Sequence, residues 1–192
     1  MNQVFPEHIT NEELDLLPPL KFEGRIMVID NFEMLYAACK QLQKHQILGF
    51  DTETKPNFKK GKTNNVCLIQ LSTIDDSYIF RLNKIGLPDE LQAILASNDI
   101  KKIGVAVRDD VNQIAKLKRF VPQGFVDLQS MVSTYGISEK GLKKMAGIVL
   151  GGRISKAQRT SNWENDELSQ QQLIYAATDS WACLKIWERL TN

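Results

Sequence analysis

Asp51 and Glu53 stand two residues apart in the string LGFDTET, directly after the apolar run 47–50. On a strand, side chains at i and i+2 point to the same face, so the two carboxylates share a surface and repel each other. Such a pair calls for a cation or a solvated position, and hard oxygen donors suit Mg²⁺ or Mn²⁺. The pattern is short, and taken alone two solvated acids just past a strand are the simpler reading. Tyr175 and Asp179 lie at i and i+4 in QQLIYAATDSWACLKIW, on one side of a helix with an apolar stripe of Leu173, Ala176, Ala177, Leu184 and Trp187. A carboxylate beside that stripe is costly unless it is paired or bound to metal. A helix-surface Asp next to a core-edge Tyr is the plain alternative. Asp109 and Asp110 come where KIGVAV gives way to a helix. One acid suffices as a cap. Asp110 precedes Ile114 by one turn and so lies on the apolar face, which makes Asp109 the cap and leaves Asp110 free to face the sheet.

The elements that must position these groups follow from periodicity and punctuation. Residues 1–20 form a lead-in, with a short helix over 12–16 ended by Pro18 and Pro19. Strands are expected over 25–30, 47–50, 65–73, 77–82 and 102–107. Asn31 caps a helix whose Leu35, Ala38 and Leu42 share a face. Further helices are expected over 87–96, 110–117, 128–134, 142–150 and 170–190. The connection 74–76 is short enough for an antiparallel hairpin. Strands gather early and helices late, with one strand–helix–strand alternation. That pattern describes a single mixed α/β domain with helices packed on a sheet.

In order along the chain come a strand-borne D-x-E, an acid at a helix start and a Y-x-x-x-D near the C-terminus. Around them run FDTETKP, N-x-V-x-L-I-Q-L-S over 65–72, G-V-A-V-x-x-D over 104–110, R-T-S-N-W over 159–163 and Y-A-A-T-D over 175–179. This combination resembles the tyrosine branch of the DEDD 3'-5' exonucleases, over nearly the whole chain after about residue 24. The histidine branch places His five residues before the last Asp, where this chain has Ile174. The resemblance implies a ribonuclease H-like α/β fold, with a five-stranded mixed sheet flanked by helices and an antiparallel second strand. It divides the chain into a lead-in, 1–23, and an exonuclease domain, 24–192. It implies that Asp51, Glu53, Asp110 and Asp179 hold two ions, Mg²⁺ or Mn²⁺, and that Tyr175 orients the attacking water. Tyr175 is not assigned as the general base, since an unperturbed Tyr pKa of about 10 disfavours it at neutral pH. The product would be a nucleoside 5'-monophosphate released from the 3' end of DNA or RNA.

A strand of nucleic acid needs positive charge beside such acids. The 192 residues carry 24 Lys and Arg against 23 Asp and Glu, a net charge of +1 that argues against binding by bulk charge. The distribution is uneven. Residues 55–62 and 140–160 contain bases and no acid, while residues 1–20 contain four acids and no Lys or Arg. Lys59, Lys60, Lys156 and Arg159 are the phosphate candidates drawn from these patches, although any single one could be a solvated surface residue. Phe58 and Trp163 could stack on an unpaired base, and Trp163 could equally be a packing anchor. Thr52 points away from the two acids beside it, and its backbone could approach the 3' terminus. Gln70 interrupts an apolar strand and is expected to satisfy a buried hydrogen-bond need. Asp127 reads as a helix cap rather than a fifth ligand.

His8 and His45 stand in positions that offer no catalytic pairing, and no G-x-G-x-x-G is present. Cys39, Cys67 and Cys183 are far apart, which suggests reduced thiols. The N-terminal stretch has neither the basic start nor the apolar run of a signal peptide, and no apolar run approaches the roughly 20 residues of a membrane helix. A cytoplasmic protein without a membrane partner is expected, with a protein partner supplying extra grip on nucleic acid. Two other readings remain open: a catalytically silent nucleic-acid-binding module of the same fold, which would usually lack one of the acids, and a structure-specific endonuclease.

Overall fold

A computed structural model describes residues 4–56 and 64–192. In chain order the elements are α1 (Asn11–Leu16), β1 (Arg25–Ile29), α2 (Phe32–Leu42), β2 (Ile47–Thr54), β3 (Val66–Ser72), β4 (Asp76–Arg81) and α3 (Leu82–Ile85). They continue with α4 (Asp89–Ala96), β5 (Lys101–Gly104), α5 (Val107–Leu117), β6 (Phe125–Asp127), α6 (Leu128–Ser133), α7 (Leu142–Leu150) and α8 (Gln170–Thr191). The strands form one sheet in the order β1-β4-β3-β2-β5-β6. β3 runs antiparallel to both of its neighbours, and the remaining pairings are parallel. The sheet therefore has six strands where five were expected. The additional one is β6, whose three residues are too few to show alternation or an apolar run.

β3 is buried along its whole length, as a central strand covered on both faces must be. Alternation divides the side chains between two cores. Leu48, Phe50, Ile69, Leu71 and Phe80 pack with Leu35 and Leu42 of α2 and Leu91 and Ile94 of α4. The opposite face carries Gly49, Asp51, Leu68, Gln70 and Ile79 toward α8. A capping box starts that helix: Gln172 N donates to Ser169 Oγ, and Ser169 N donates to Gln172 Oε1.

Close approach of α8 to the sheet depends on Gly49. A Cβ there would lie 1.9 Å from the Ser180 carbonyl oxygen, so only glycine lets the helix settle against β2 at this level. Ser72 Oγ reinforces the contact by bonding both Ser77 Oγ at 2.9 Å and Ser180 Oγ at 2.6 Å. The lead-in lies over the same side of the fold. Phe22 N donates to Thr178 Oγ1 of α8, and Leu20 N donates to the Arg153 carbonyl. Leu14 is fully buried against the α7 side.

Lys102 is buried below β5 and spends its three donors on the carbonyls of Ile94, Ser97 and Ile100 at 2.6–3.0 Å. It thereby holds the turn that follows α4, supplying the Ser97 and Ile100 carbonyls and adding to the Ile94 carbonyl, which also accepts the Ser97 N–H at 3.2 Å. Replacing Lys102 by Met would strand these acceptors away from water. The expected cost is about 2–4 kcal/mol in urea unfolding, and an unchanged midpoint would contradict the capping role.

Candidate active site

Asp51 and Glu53 alternate with Thr52 inside β2, which extends four residues further than the apolar run suggested. Asp179 faces them from α8, one residue before the Ser180 contact with Gly49 and Ser72. The result is a cluster in which Asp51, Glu53 and Asp179 each offer an oxygen within 4.8 Å of the others. Asp110 stands outside that trio. It accepts a 2.6 Å hydrogen bond from Thr52 Oγ1, and its charge reaches both Asp51 and Glu53. Thr52 is thus committed through its side chain to holding the fourth acid.

The helix carrying Asp110 begins earlier than expected. Ala106, not Asp109, is the N-cap of α5, and it adopts a left-handed conformation with φ 55°. β5 correspondingly ends at Gly104 rather than at residue 107. No side chain of α5 caps the turn. Instead Asp127 receives the Ala106 N–H at 3.1 Å, while also capping α6 through Gln129 N at 2.9 Å. Both oxygen-to-backbone bonds agree with a structural Asp127, and they place Asp109 and Asp110 together in the first turn of α5.

Crowding and burial dominate the electrostatics. Burial, followed by the charges of Asp179 and Asp110, holds the Asp51 carboxyl well above the usual range. Burial and then the Asp51 charge push Glu53 up to about 10. Asp179 rises to about 7 through burial, against the opposing pull of the Tyr175 hydroxyl. Asp110 rises to about 6, again through burial and against its bond from Thr52. Asp179 Oδ1 is buried and has no hydrogen-bond partner among the described residues. An all-oxygen set of crowded carboxyls, one with an orphaned lone pair, fits a hard divalent cation, whose charge would offset the mutual repulsion.

A pH dependence follows. A carboxyl whose folded pKa is raised keeps its proton longer in the folded than in the unfolded chain, where acids titrate near about 4. Its stabilising effect is complete below the unfolded value and is lost as pH rises through the folded one. In EDTA the thermal midpoint should therefore fall between pH 5 and pH 9, and added Mg²⁺ should restore it more at pH 9 than at pH 5. A midpoint that rises with pH in EDTA would contradict this electrostatic picture.

Tyr175 lies between two cavities and lines both. One, of about 210 Å³, is also lined by Lys143, Lys156, Arg159 and Asp179. The other, of about 330 Å³, is lined by Leu20, Ile154, Gln158, Ile174 and Thr178 among others. Burial, and then the charges of Asp179 and Glu53, raise the Tyr175 phenol above its ordinary value, so it remains a hydroxyl donor. Its ring packs on Trp163 with centroids 5.8 Å apart.

The sequence-derived candidates divide accordingly. Asp51, Glu53, Asp179 and Tyr175 converge, Asp110 joins through Thr52, and Lys156 and Arg159 line the cavity next to them. Trp163 is fully buried with Cys67, Leu68, Ile79 and Ala176 around it, so it anchors packing and offers no stacking surface. Gln70 is also fully buried, but its amide nitrogen and oxygen have no partner among the described residues, contrary to expectation. Phe58, Lys59 and Lys60 lie outside the described residues. Lys55, from the same patch, pairs with Glu164 at 3.1 Å. Lys143 and the lead-in residues Asn11, Leu20 and Lys21 also line the two cavities, and sequence reasoning did not place them at the site. The lead-in had one usable signal, the Thr10-x-x-Glu13 capping box that starts α1.

A carboxylate cluster on a central strand and a facing helix, over a mixed sheet in which β3 runs against its neighbours, defines a ribonuclease H-like nuclease architecture. Residues 26–192 match the 3'-5' exonuclease family, and the chain belongs to it. It is 32% identical over 191 residues to the bifunctional 3'-5' exonuclease/ATP-dependent helicase WRN of Mus musculus, an alignment covering 93% of this chain and 13% of that protein. It is 30% identical to ribonuclease D of Acidiphilium cryptum, covering 85% of this chain and 42% of the relative. The chain thus spans less than half the length of these curated relatives. In structure it resembles the Aedes aegypti Nibbler EXO domain, with a TM-score of 0.75 at 24% identity over 91% of this chain and 90% of that one. It also resembles Trypanosoma brucei RNase D in complex with RNA U12, with a TM-score of 0.77 at 22% identity over 89% and 64% of the two chains.

Proposed function

We propose that the protein is a divalent-cation-dependent 3'-5' exonuclease that releases nucleoside 5'-monophosphates from the 3' end of a DNA or RNA strand. The observation that carries this reading is the meeting of Asp51, Glu53 and Asp179 beside Tyr175, at the wall of a cavity lined by Lys143, Lys156 and Arg159. Acids that repel phosphate and bases that attract it belong together only where a cation and a phosphodiester share the site.

Asp51, Glu53 and Asp179 would hold Mg²⁺ or Mn²⁺, with Asp110 completing the set for a second ion. When bound, two such ions supply an activated water at neutral pH and stabilise the departing 3' oxygen. Tyr175 keeps its proton and orients the attacking water by a hydrogen bond; its raised pKa excludes it as the general base. Lys156 and Arg159 neutralise backbone phosphate, which makes affinity fall with salt. The less charged cavity on the other side of Tyr175 accommodates the terminal sugar and base. A nucleic acid strand as substrate is supported by the RNA complex of the structurally similar ribonuclease D. Additional grip on the strand would come from a protein partner.

The test is one assay. 5'-labelled DNA and RNA strands, with free or blocked 3' ends, are incubated with Mg²⁺, Mn²⁺ or EDTA. The expected result is a stepwise ladder that requires both a free 3' end and a divalent cation. Cleavage of blocked or circular strands, or full activity in EDTA, would sink the proposal.

A further inference from the structure

Gln70 is the most conspicuous polar group that the catalytic reading leaves unused. It is fully buried, and among the described residues neither its Nε2 nor its Oε1 has a hydrogen-bond partner. An unmet buried amide costs about 1–3 kcal/mol and calls for an explanation. Its place in the sheet supplies one. Gln70 stands directly opposite Asp51 in the antiparallel β2–β3 pair. Opposed residues share a sheet face with Cβ atoms about 4.5–5.5 Å apart, which brings a carboxamide within reach of the carboxylate.

Apart from the acid cluster itself, where Asp179 Oδ1 also lacks a partner among the described residues, the strand neighbours of Gln70 are engaged elsewhere. On β4 the residue opposite Gln70 is Ile79, which packs with Leu68, Trp163 and Ala176. Ser72, two residues along β3, is committed to Ser77 and Ser180. Arg81 is diagonal to Gln70 on β4. Its guanidinium donates to the Asp166 and Asn165 carbonyls, while its buried Nε has no partner. A donor thus lies on one side of the carboxamide and a carboxylate on the other.

We infer that Gln70 is a positioning residue for Asp51. Its Nε2–H hydrogen-bonds the ionised Asp51 carboxylate and fixes the oxygen that faces the cation, while Oε1 turns toward Arg81. This rests on the reading above that Asp51, Glu53 and Asp179 hold divalent cations. The amide is held in place before the cation arrives, at a cost in stability that a site without function would not retain.

Gln70→Leu tests it, because leucine fills similar space without an orphan amide. In EDTA the variant should melt at the same temperature as the parent or higher. Titrated calorimetrically with Mn²⁺ and no substrate, it should bind about 10-fold or more weakly, as expected when a residue supporting a metal ligand is lost. The Mn²⁺ concentration for half-maximal exonuclease rate should rise in parallel. Mn²⁺ binding within twofold of the parent would overturn the inference and leave the exonuclease reading intact. A parent that binds no Mn²⁺ would overturn both. A second readout needs no substitution: in ¹⁵N NMR of the parent, Mg²⁺ should move one of the two Gln70 Nε2 protons downfield relative to the other. A resonance pair that does not move apart would also overturn the inference.

Discussion

Asp51→Asn is expected to reduce exonuclease turnover by about a thousandfold or more while making the cation-free protein more stable at alkaline pH. The two effects share one cause. Asp51 is held in a crowded, half-buried cluster with Glu53 and Asp179 nearby, so its ionised form is strained until a cation neutralises it. Removing the charge relieves the strain and abolishes the cation site. The loss of rate follows from losing charge stabilisation aimed at the reacting phosphate, where even one hydrogen-bond donor is worth about 10²–10³. The stability gain in EDTA should be present at pH 9 and absent by about pH 2, where the parent carboxyl is protonated in both folded and unfolded chains. Thermal melts should also show that Mg²⁺ raises the midpoint of the parent and leaves that of the variant nearly unchanged. Parent-like turnover in Asp51→Asn would refute the assignment of the site.

Trp163→Ala is expected to cost about 3–5 kcal/mol in urea unfolding, the range for truncating a large buried aromatic. Trp163 has no exposed surface, and it supports the ring of Tyr175 from below. Activity should fall along with stability, because Tyr175 loses the surface that orients its hydroxyl. Trp163→Phe should cost much less, since most of the apolar contact remains and the indole N–H without a partner is removed. A stacking platform would give a different result: Trp163→Ala would remain stable, and only its KM would rise.

Both experiments probe a structure in which the parts of the site arrive from distant segments. β2 brings two acids, α5 a third, and α8 the fourth together with Tyr175. The loop between α7 and α8 contributes Lys156, Arg159 and Trp163. Arg81, buried at the end of β4, ties that loop down through the Asn165 and Asp166 carbonyls. The lead-in adds Leu20 and Lys21 to a cavity wall. Placement of the acids is therefore as much a matter of helix-to-sheet packing as of the residues themselves.

Much of this was legible in one dimension. Alternation on a strand put Asp51 and Glu53 on one face, and the i, i+4 spacing put Tyr175 and Asp179 on one side of a helix, because both periods are set by local backbone geometry. Asn31 and the apolar run of β3 marked their elements for the same reason. What lies between elements was not legible. Nothing local says that α8 crosses β2 at Gly49, and that close contact is what sets Asp179 beside Asp51. Nor does a Trp among polar loop residues announce that it is buried. The start of α5 was misplaced because its cap is a left-handed Ala106 held by Asp127, a partner 21 residues away. The sequence by itself determined which chemistry was available and on which faces it stood. Tertiary structure alone decided that three acids share one point, that Thr52 holds the fourth, and that Gln70 waits unpaired opposite Asp51. Those outcomes depend on contacts between segments far apart in the chain, and no local periodicity encodes them.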